Sequence, residues 1–282
     1  MQNTIPKKSE PVLQKFLVGF MFVAMIAAII FGLIWIKAIR DYSAGNAAYR
    51  RLQGFSPDTA AIESAHLQTD ASLPDASLPQ SEAAPVVSAS QTELRASRMD
   101  FSGLKAVNED VVGWLSAEAV GINYPVVLGT DNAYYLDHLV THEPSRLGSL
   151  FADYRNQGDF SDRNTVIYGH NMQDGSMFAG LMEYKKQEVY EQPPTLLLFT
   201  PDGDYRIELF AGVITDGRQD FGRQDFSTTF DFLAYIDNLR DQSTFQSDVR
   251  IKEEDRIITL STCTYEFEEG RFVVFGKLIP LG

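Results

Sequence analysis

The pattern of hydrophobic and polar positions divides the chain into three regions. Phe16–Ile36 contains no charged residue, and about 20 apolar residues in a helix span the hydrocarbon layer of a bilayer. From about Ser56 to Ser97, small and polar residues dominate and Ala-Ser-Leu-Pro occurs twice. From Met99 onward, short apolar runs alternate with turn residues. This last region therefore predicts a folded domain, and the second a flexible tether that lacks the apolar residues for a core.

The folded region is predicted to contain many short strands and a few helices. Helical spacing of apolar residues predicts a helix at Phe101–Leu115, a short helical turn at Asp131–Leu139, and a helix at Phe226–Leu239 capped by Thr228 or Thr229. Strands are predicted at Gly121–Leu128, Gly148–Tyr154, Asn164–Tyr168, Pro194–Thr200, Tyr205–Thr215, Ile257–Tyr265 and Arg271–Ile279. Such a pattern is typical of a barrel or a sandwich.

The apolar N-terminal segment predicts an uncleaved membrane anchor. Lys15 and Lys37 bracket it and Trp35 suits the membrane interface, while its length exceeds the apolar core of a signal peptide. We expect residues 1–15 to form a short tail, 16–36 the anchor, 37–98 a juxtamembrane segment and tether, and 99–282 the folded domain. Positive charges on both sides of the anchor leave its orientation open.

Composition excludes several kinds of function. The 282 residues carry a net charge of -14, which argues against nucleic acid as a partner. A single cysteine excludes an intramolecular disulfide and a zinc site built from several cysteines. Asp153–Gly158 is only faintly similar to a calcium-binding loop, because Arg155 stands where a ligand should be. We expect no metal and no cofactor.

The single cysteine, Cys263, lies in the last predicted hairpin. If the turn Glu266–Gly270 centres near Phe267, Cys263 and Arg271 are opposite each other on the same face. A nearby cation favours the reactive thiolate. Buried packing is the ordinary role of a lone cysteine. However, alternation along the strand places Cys263 on the face of Ser261 rather than on that of the apolar residues. An unpaired thiol that faces an oxidising exterior is also a liability unless it has a chemical role.

A cysteine nucleophile needs a histidine partner, and three histidines lie in the folded region. His138 and His142 are in a polar stretch, which predicts solvated side chains. His170 directly follows the strand that ends at Tyr168 and Gly169. A position just past a strand end can line a cleft, so His170 is the candidate partner, although a structural role remains an alternative on position alone.

Motifs around these residues resemble the sortase family, and most closely its class B. They are Tyr168-Gly-His-Asn-Met172 followed by Asp174-Gly-Ser-Met-Phe178, and Thr259-Leu-Ser-Thr-Cys263 with the downstream Arg271. Gly148–Asn156 and Asp131–Leu136 match the same class. The resemblance covers the chain from about Phe101 to the C-terminus, together with the order of anchor, tether and domain.

This resemblance implies a closed β-barrel of about eight strands with flanking helices. It implies a transpeptidase that cleaves a C-terminal sorting signal of secreted proteins through a thioacyl-enzyme and transfers the acyl group to an amine of a cell-wall precursor. Cys263 would be the nucleophile, His170 the general acid and then base, and Arg271 the donor to the oxyanion. The resemblance also assigns four residues to contacts with the sorting signal, namely Asn132, Leu136, Tyr168 and Ser261.

The resemblance further implies a single-pass protein of the plasma membrane in a Gram-positive bacterium, with its catalytic domain on the extracellular side. Three alternatives stay open. The acceptor amine is a pilin lysine instead of a cell-wall precursor, the protein is a membrane-tethered cysteine peptidase that uses water, or it is a non-catalytic adhesion module.

Overall fold

The structure is a computed structural model that describes residues 10–56, 99–192, 196–216, 221–263 and 269–281. The described residues therefore exclude 1–9 of the predicted tail, 57–98 of the predicted tether, and the hairpin turn 264–268. The chain divides into two compact units, Met1–Asn46 and Ala47–Gly282. Helix α1, Glu10–Leu52, begins in the first unit. In the part of the chain that the structure describes, this helix is the one long and apolar enough to cross a membrane.

The second unit is built on a closed barrel of eight strands, which confirms the predicted fold class. The strands are β1 Val111–Ala117, β2 Ile122–Leu128, β3 Leu150–Ala152, β4 Asn164–Tyr168, β5 Leu196–Phe199, β6 Asp204–Asp216, β7 Ile257–Cys263 and β8 Gly270–Leu281. Their order around the barrel is β1-β2-β3-β4-β7-β8-β6-β5. The pairs β2–β3 and β4–β7 are parallel, and the other pairs are antiparallel.

Helices and 3-10 turns fill the connections. Among the described residues, the α-helices that lie wholly in this unit are α2 Phe101–Val107, α3 Gln187–Tyr190 and α4 Thr229–Asp241. The 3-10 turns are Gln53–Phe55, Glu118–Val120, Tyr134–Leu136 and Ala179–Lys185. The predicted α4 is confirmed, with Thr228 as its cap: the side chain accepts a hydrogen bond from the backbone of Asp231. The 3-10 turn Ala179–Lys185 and helix α3 were not predicted from the sequence.

The predicted helix Phe101–Leu115 is wrong in its second half. The helix ends at Val107, and Val111–Ala117 is a strand paired with both β2 and β5. Asn108, the C-cap of this helix, already has an extended backbone, and its side chain donates to the hydroxyl of Tyr135 and the carbonyl of Val140. A strand that is buried on both faces has a nearly continuous apolar sequence. A short apolar run of this kind is also compatible with a buried helix, so periodicity alone does not distinguish the two.

Helix α4 covers the outside of the β6–β8–β7 part of the barrel. Phe232, Ile236 and Leu239 of α4 form one buried cluster that also contains Ile257 and Phe275. Successive side chains of β7 lie on opposite faces of the sheet, and near Ile257 both faces are buried. Because α4 supplies a second apolar layer, the face of β7 that carries Ile257 belongs to the core as well as the face of Ile258 and Leu260.

Residues that precede the predicted folded domain also pack within the second unit. The hydroxyl of Tyr49 donates to the carbonyl oxygen of Gly148 at 2.5 Å, and its ring meets that of Tyr124 edge-on at 5.3 Å. Leu52 is buried as well. The backbone N–H of Asp100 donates to the carbonyl of Phe55 at 3.3 Å. Phe55 and Asp100, on either side of residues 57–98, therefore lie next to each other in this unit.

Candidate active site

Three neighbouring strands bring the candidate catalytic residues together. Cys263 ends β7 and pairs directly with Arg271 of β8, so the pairing predicted for the last hairpin is confirmed. On the other side of β7, Tyr168 of β4 pairs with Ser261. Adjacent strands lie about 5 Å apart. The order across the sheet is therefore β4, then β7 with Cys263, then β8 with Arg271.

The chain after β4 stays beside β7 until it reaches His170. The backbone N–H of Gly169 donates to the carbonyl of Ser261 at 3.1 Å. The hydroxyl of Thr262 donates to the carbonyl of Gly169 at 2.8 Å. These two bonds leave His170, the next residue, beside the end of β7 where Cys263 lies. The backbone thus juxtaposes two residues that are far apart in sequence.

The imidazole of His170 is held by the loop that contains Leu136. Its Nε2 lies 2.6 Å from the carbonyl oxygen of Leu136. A carbonyl oxygen can only accept, so Nε2 carries the hydrogen in both the neutral and the cationic ring. In the neutral ring Nδ1 is then the nitrogen that can accept a hydrogen bond. The backbone carbonyl of His170 accepts from Phe178 at 2.8 Å, which fixes the turn after β4.

Arg271 lies between Cys263 and β6. It pairs with Thr215 of β6 on the side away from β7, and its guanidinium is partly exposed. One guanidinium nitrogen, Nη1, lies 3.3 Å from the carbonyl of Gly270. A guanidinium at this position brings hydrogen-bond donors and a positive charge to the turn end of the β7–β8 hairpin, where Cys263 lies.

The four residues expected to contact a sorting signal are distributed around the same strand ends. Leu136 is 44% exposed and carries the carbonyl bonded to His170. Ser261 is 9% exposed and lies two residues before Cys263. The side chains of Asn132 and Tyr168 both donate to the carboxylate of Asp153. The structure therefore brings all four to one region, and their contacts with a substrate stay a prediction.

From the sequence, Asp153 stood out only as part of a weak calcium-loop motif and of the stretch Gly148–Asn156 that resembles class B sortases. In the structure its buried carboxylate is paired with the guanidinium of Arg155, 2.8 Å away. Burial by itself raises the pKa of Asp153, but hydrogen bonds from Arg155 and Asn132 and the charge of Arg155 outweigh it and lower the pKa to about 2. The Asp-x-Arg spacing after a strand is the signal that could have identified this pair.

The two remaining histidines of the folded region pack around one tyrosine. The ring of His138 stacks on that of Tyr134 at 4.1 Å, and Nδ1 of His142 lies 3.3 Å from the Tyr134 hydroxyl. His142 is exposed, as expected, whereas His138 is only partly exposed because its ring stacks on Tyr134. Within the described ranges, no three His, Cys, Asp or Glu side chains are grouped in a way that could hold a metal ion.

Comparisons with known proteins identify the family of this chain. The chain is 42% identical over 184 residues to sortase B of Listeria monocytogenes, covering 64% of this chain and 75% of that protein. It is 35% identical over 186 residues to sortase B of Staphylococcus aureus, covering 65% of this chain and 76% of the relative. The chain belongs to the sortase B family. No family model matches the sequence.

Solved sortase B structures share the barrel. A substrate complex of sortase B from Staphylococcus aureus superposes with a TM-score of 0.63 at 32% identity, covering 68% of this chain and 91% of that one. The protein is accordingly a cysteine transpeptidase of the sortase type and of class B. The roles of its individual residues and the identity of its substrates are proposals.

Proposed function

We propose that this sortase cleaves a C-terminal sorting signal of secreted proteins and transfers the new acyl end to an amine of a cell-wall precursor. The observation that carries the proposal is the order of three adjacent strands, in which Cys263 lies between the segment of His170 and Arg271. A nucleophile, a proton carrier and a cation at neighbouring strand ends are the groups that acyl transfer needs.

The proposed reaction has two halves. The thiolate of Cys263 attacks the scissile carbonyl carbon, forming a carbon–sulfur bond, and the carbon–nitrogen bond breaks as Nδ1 of His170 protonates the leaving amine. The acceptor amine then attacks the thioester, gives a proton to the same nitrogen, and displaces the thiolate. Arg271 donates hydrogen bonds to the oxyanion that forms in each half.

The Nε2 bond to Leu136 supports this assignment of the proton carrier. Because Nε2 keeps its hydrogen, His170 can cycle one proton at Nδ1 without changing its contact with the loop. Leu136 itself is exposed beside this contact. A bound sorting signal would therefore lie against the same loop that orients the imidazole. We assign substrate contacts to Asn132, Leu136, Tyr168 and Ser261 on this basis and on the family resemblance.

We also infer that α1 anchors the protein in the plasma membrane, with residues 16–36 across the bilayer and the barrel on the extracellular side. The apolar side chains of this segment are exposed along its whole length, from Phe16 to Ile36. An exposed apolar helix of this length is stable in lipid rather than in water. An extracellular barrel would meet secreted substrates and cell-wall precursors.

The test is mass spectrometry of the full-length protein in detergent, incubated with a library of sorting-signal peptides. We expect acyl adducts on Cys263, no adduct in Cys263→Ala, and product diverted from hydrolysis to transpeptidation when an amine is added. His170→Gln should abolish turnover, while the matched variant His138→Gln should retain it.

Three outcomes would contradict the proposal. Hydrolysis that amines do not divert indicates a peptidase. Transfer only to a pilin lysine peptide, and never to a cell-wall amine, indicates pilus assembly. Processing that survives Cys263→Ala indicates a non-catalytic module.

A further inference from the structure

A single buried carboxylate connects the segments around the candidate site. Asp153 follows β3 directly and is fully buried. Its Oδ1 accepts from the backbone N–H of Arg155 at 3.0 Å and from Nε of the same residue at 2.8 Å. Its Oδ2 accepts from Nη2 of Arg155 at 2.8 Å, Nδ2 of Asn132 at 3.0 Å and the hydroxyl of Tyr168 at 3.1 Å.

Two of the donors to Asp153, Asn132 and Tyr168, belong to the two segments that hold His170. Asn132 begins the loop whose residue Leu136 accepts the hydrogen bond from Nε2 of His170. Tyr168 ends β4, two residues before His170. The amide oxygen of Asn132 also accepts from the backbone of Tyr154 at 3.0 Å, so both ends of this amide tie the loop to the segment after β3.

The chemistry of Asp153 suits a role as a fixed acceptor. With its pKa lowered to about 2, the carboxylate is ionised near neutral pH, so it serves there as an acceptor rather than as a proton donor. Ionised acceptors make stronger hydrogen bonds than neutral ones. Loss of Oδ2 as an acceptor would remove this partner from the hydroxyl of Tyr168 and the amide of Asn132, which are both partly buried.

We propose that Asp153 is a positioning residue, which holds the loop 131–136 against the end of β4 and thereby fixes the ring of His170 beside Cys263. This inference rests on the proposed function, because it gives His170 a catalytic role. Asp153 acts through Asn132, Tyr168 and Leu136 and does not touch the reacting atoms.

The test uses Asp153→Asn in the full-length protein. The amide is nearly isosteric, but it replaces one acceptor oxygen by a donor that faces the donors already there. We expect kcat for a sorting-signal peptide to fall at least 10-fold with KM changed less than about 3-fold, because the substrate still binds while the imidazole is misplaced. Long-range proton–nitrogen NMR of labelled histidine should show His170 leave the pure Nε2–H tautomer.

The matched control is Asp162→Asn. The Oδ2 atom of Asp162 also accepts from two groups of a neighbouring loop, Nδ2 of Asn156 at 2.9 Å and the backbone of Gln157 at 2.6 Å. It makes no bond to Asn132 or Tyr168. We expect this variant to keep the wild-type kcat and the wild-type tautomer, even if it loses stability.

The result that overturns the proposal is a folded Asp153→Asn protein with unchanged kcat and an unchanged His170 tautomer. If that variant does not fold, Tyr168→Phe removes one of the donors alone, and it must show the same tautomer change with a smaller fall in kcat. Wild-type protein without Cys263-dependent turnover would refute the proposed function, while the tautomer measurement would still test Asp153.

Discussion

Tyr49 offers a sharp test of how the catalytic unit is held together. It lies outside the domain that the sequence predicts, yet its side chain is only 3% exposed. Its hydroxyl bonds the carbonyl of Gly148 at 2.5 Å and the hydroxyl of Ser149 at 3.1 Å. Ser149 in turn donates two bonds to the segment around Leu136, from its backbone N–H to the carbonyl of Tyr135 and from its hydroxyl to the carbonyl of His138. Tyr49 therefore supports the start of β3 and the adjacent loop.

Two substitutions separate the contributions of Tyr49. Tyr49→Phe removes the hydroxyl and leaves the carbonyl of Gly148 without this donor, which costs about 1–2 kcal/mol. Tyr49→Ala also removes the buried ring and its edge-on contact with Tyr124, and truncating a buried aromatic side chain costs about 3–5 kcal/mol. The second variant should therefore lose roughly three times as much stability as the first.

Urea unfolding of a soluble chain that begins at Lys37 measures both values. Tyr154→Ala is the matched control: Tyr154 is 52% exposed, and its truncation should change the free energy of unfolding by less than about 0.5 kcal/mol. Equal stability of Tyr49→Ala and wild type would refute the reasoning. So would a chain beginning at Met99 that is as stable as the one beginning at Lys37.

Three further predictions follow from particular contacts. In Gly148→Ala, the new Cβ would lie 2.5 Å from the carbonyl oxygen of Leu136 at a positive φ of 57°, so transpeptidation should fall well below that of Gly203→Ala, where no atom lies within 4 Å. Between pH 4 and pH 2, the wild type should lose about 2 kcal/mol that Asp153→Asn does not lose, because the lowered pKa of Asp153 stabilises the fold only while the carboxylate is ionised; acid titration of urea midpoints measures this. Thr228→Ala should cost about 1 kcal/mol by removing the cap of α4, and Thr228→Ser should restore it.

Each of these three has a clear contrary result. Gly148→Ala with the activity of Gly203→Ala would show that the carbonyl of Leu136 is not constrained as described. Parallel acid unfolding of wild type and Asp153→Asn would show that Asp153 titrates normally. A Thr228→Ala protein as stable as wild type would show that the cap is not formed.

Local patterns in the sequence were sufficient to predict the last hairpin. Cys263 and Arg271 are separated by one turn, and their pairing follows from the alternation of the two strands and the position of that turn. The same kind of signal located β2, β4, β5, β6 and α4. The family resemblance, carried by short motifs, added the closed barrel and the chemistry.

Local pattern failed where two structures share one pattern. The apolar residues from Val111 to Leu115 fit a helix as well as a strand, and pairing with both β2 and β5 decided between them. Nothing in the local sequence indicated that Tyr49 would pack with Gly148, or that α4 would bury the outer face of β7.

The position of His170 beside Cys263 was decided by tertiary structure. Gly169 and Thr262 are 93 residues apart, and they meet because β4 and β7 pair in parallel within the barrel. A hairpin forms from neighbouring residues, whereas a parallel pair needs a long crossover and is stable only when the whole barrel closes around it. The sequence alone therefore identifies Cys263 and His170 as the candidate reactive groups, whereas the closed barrel brings them close together.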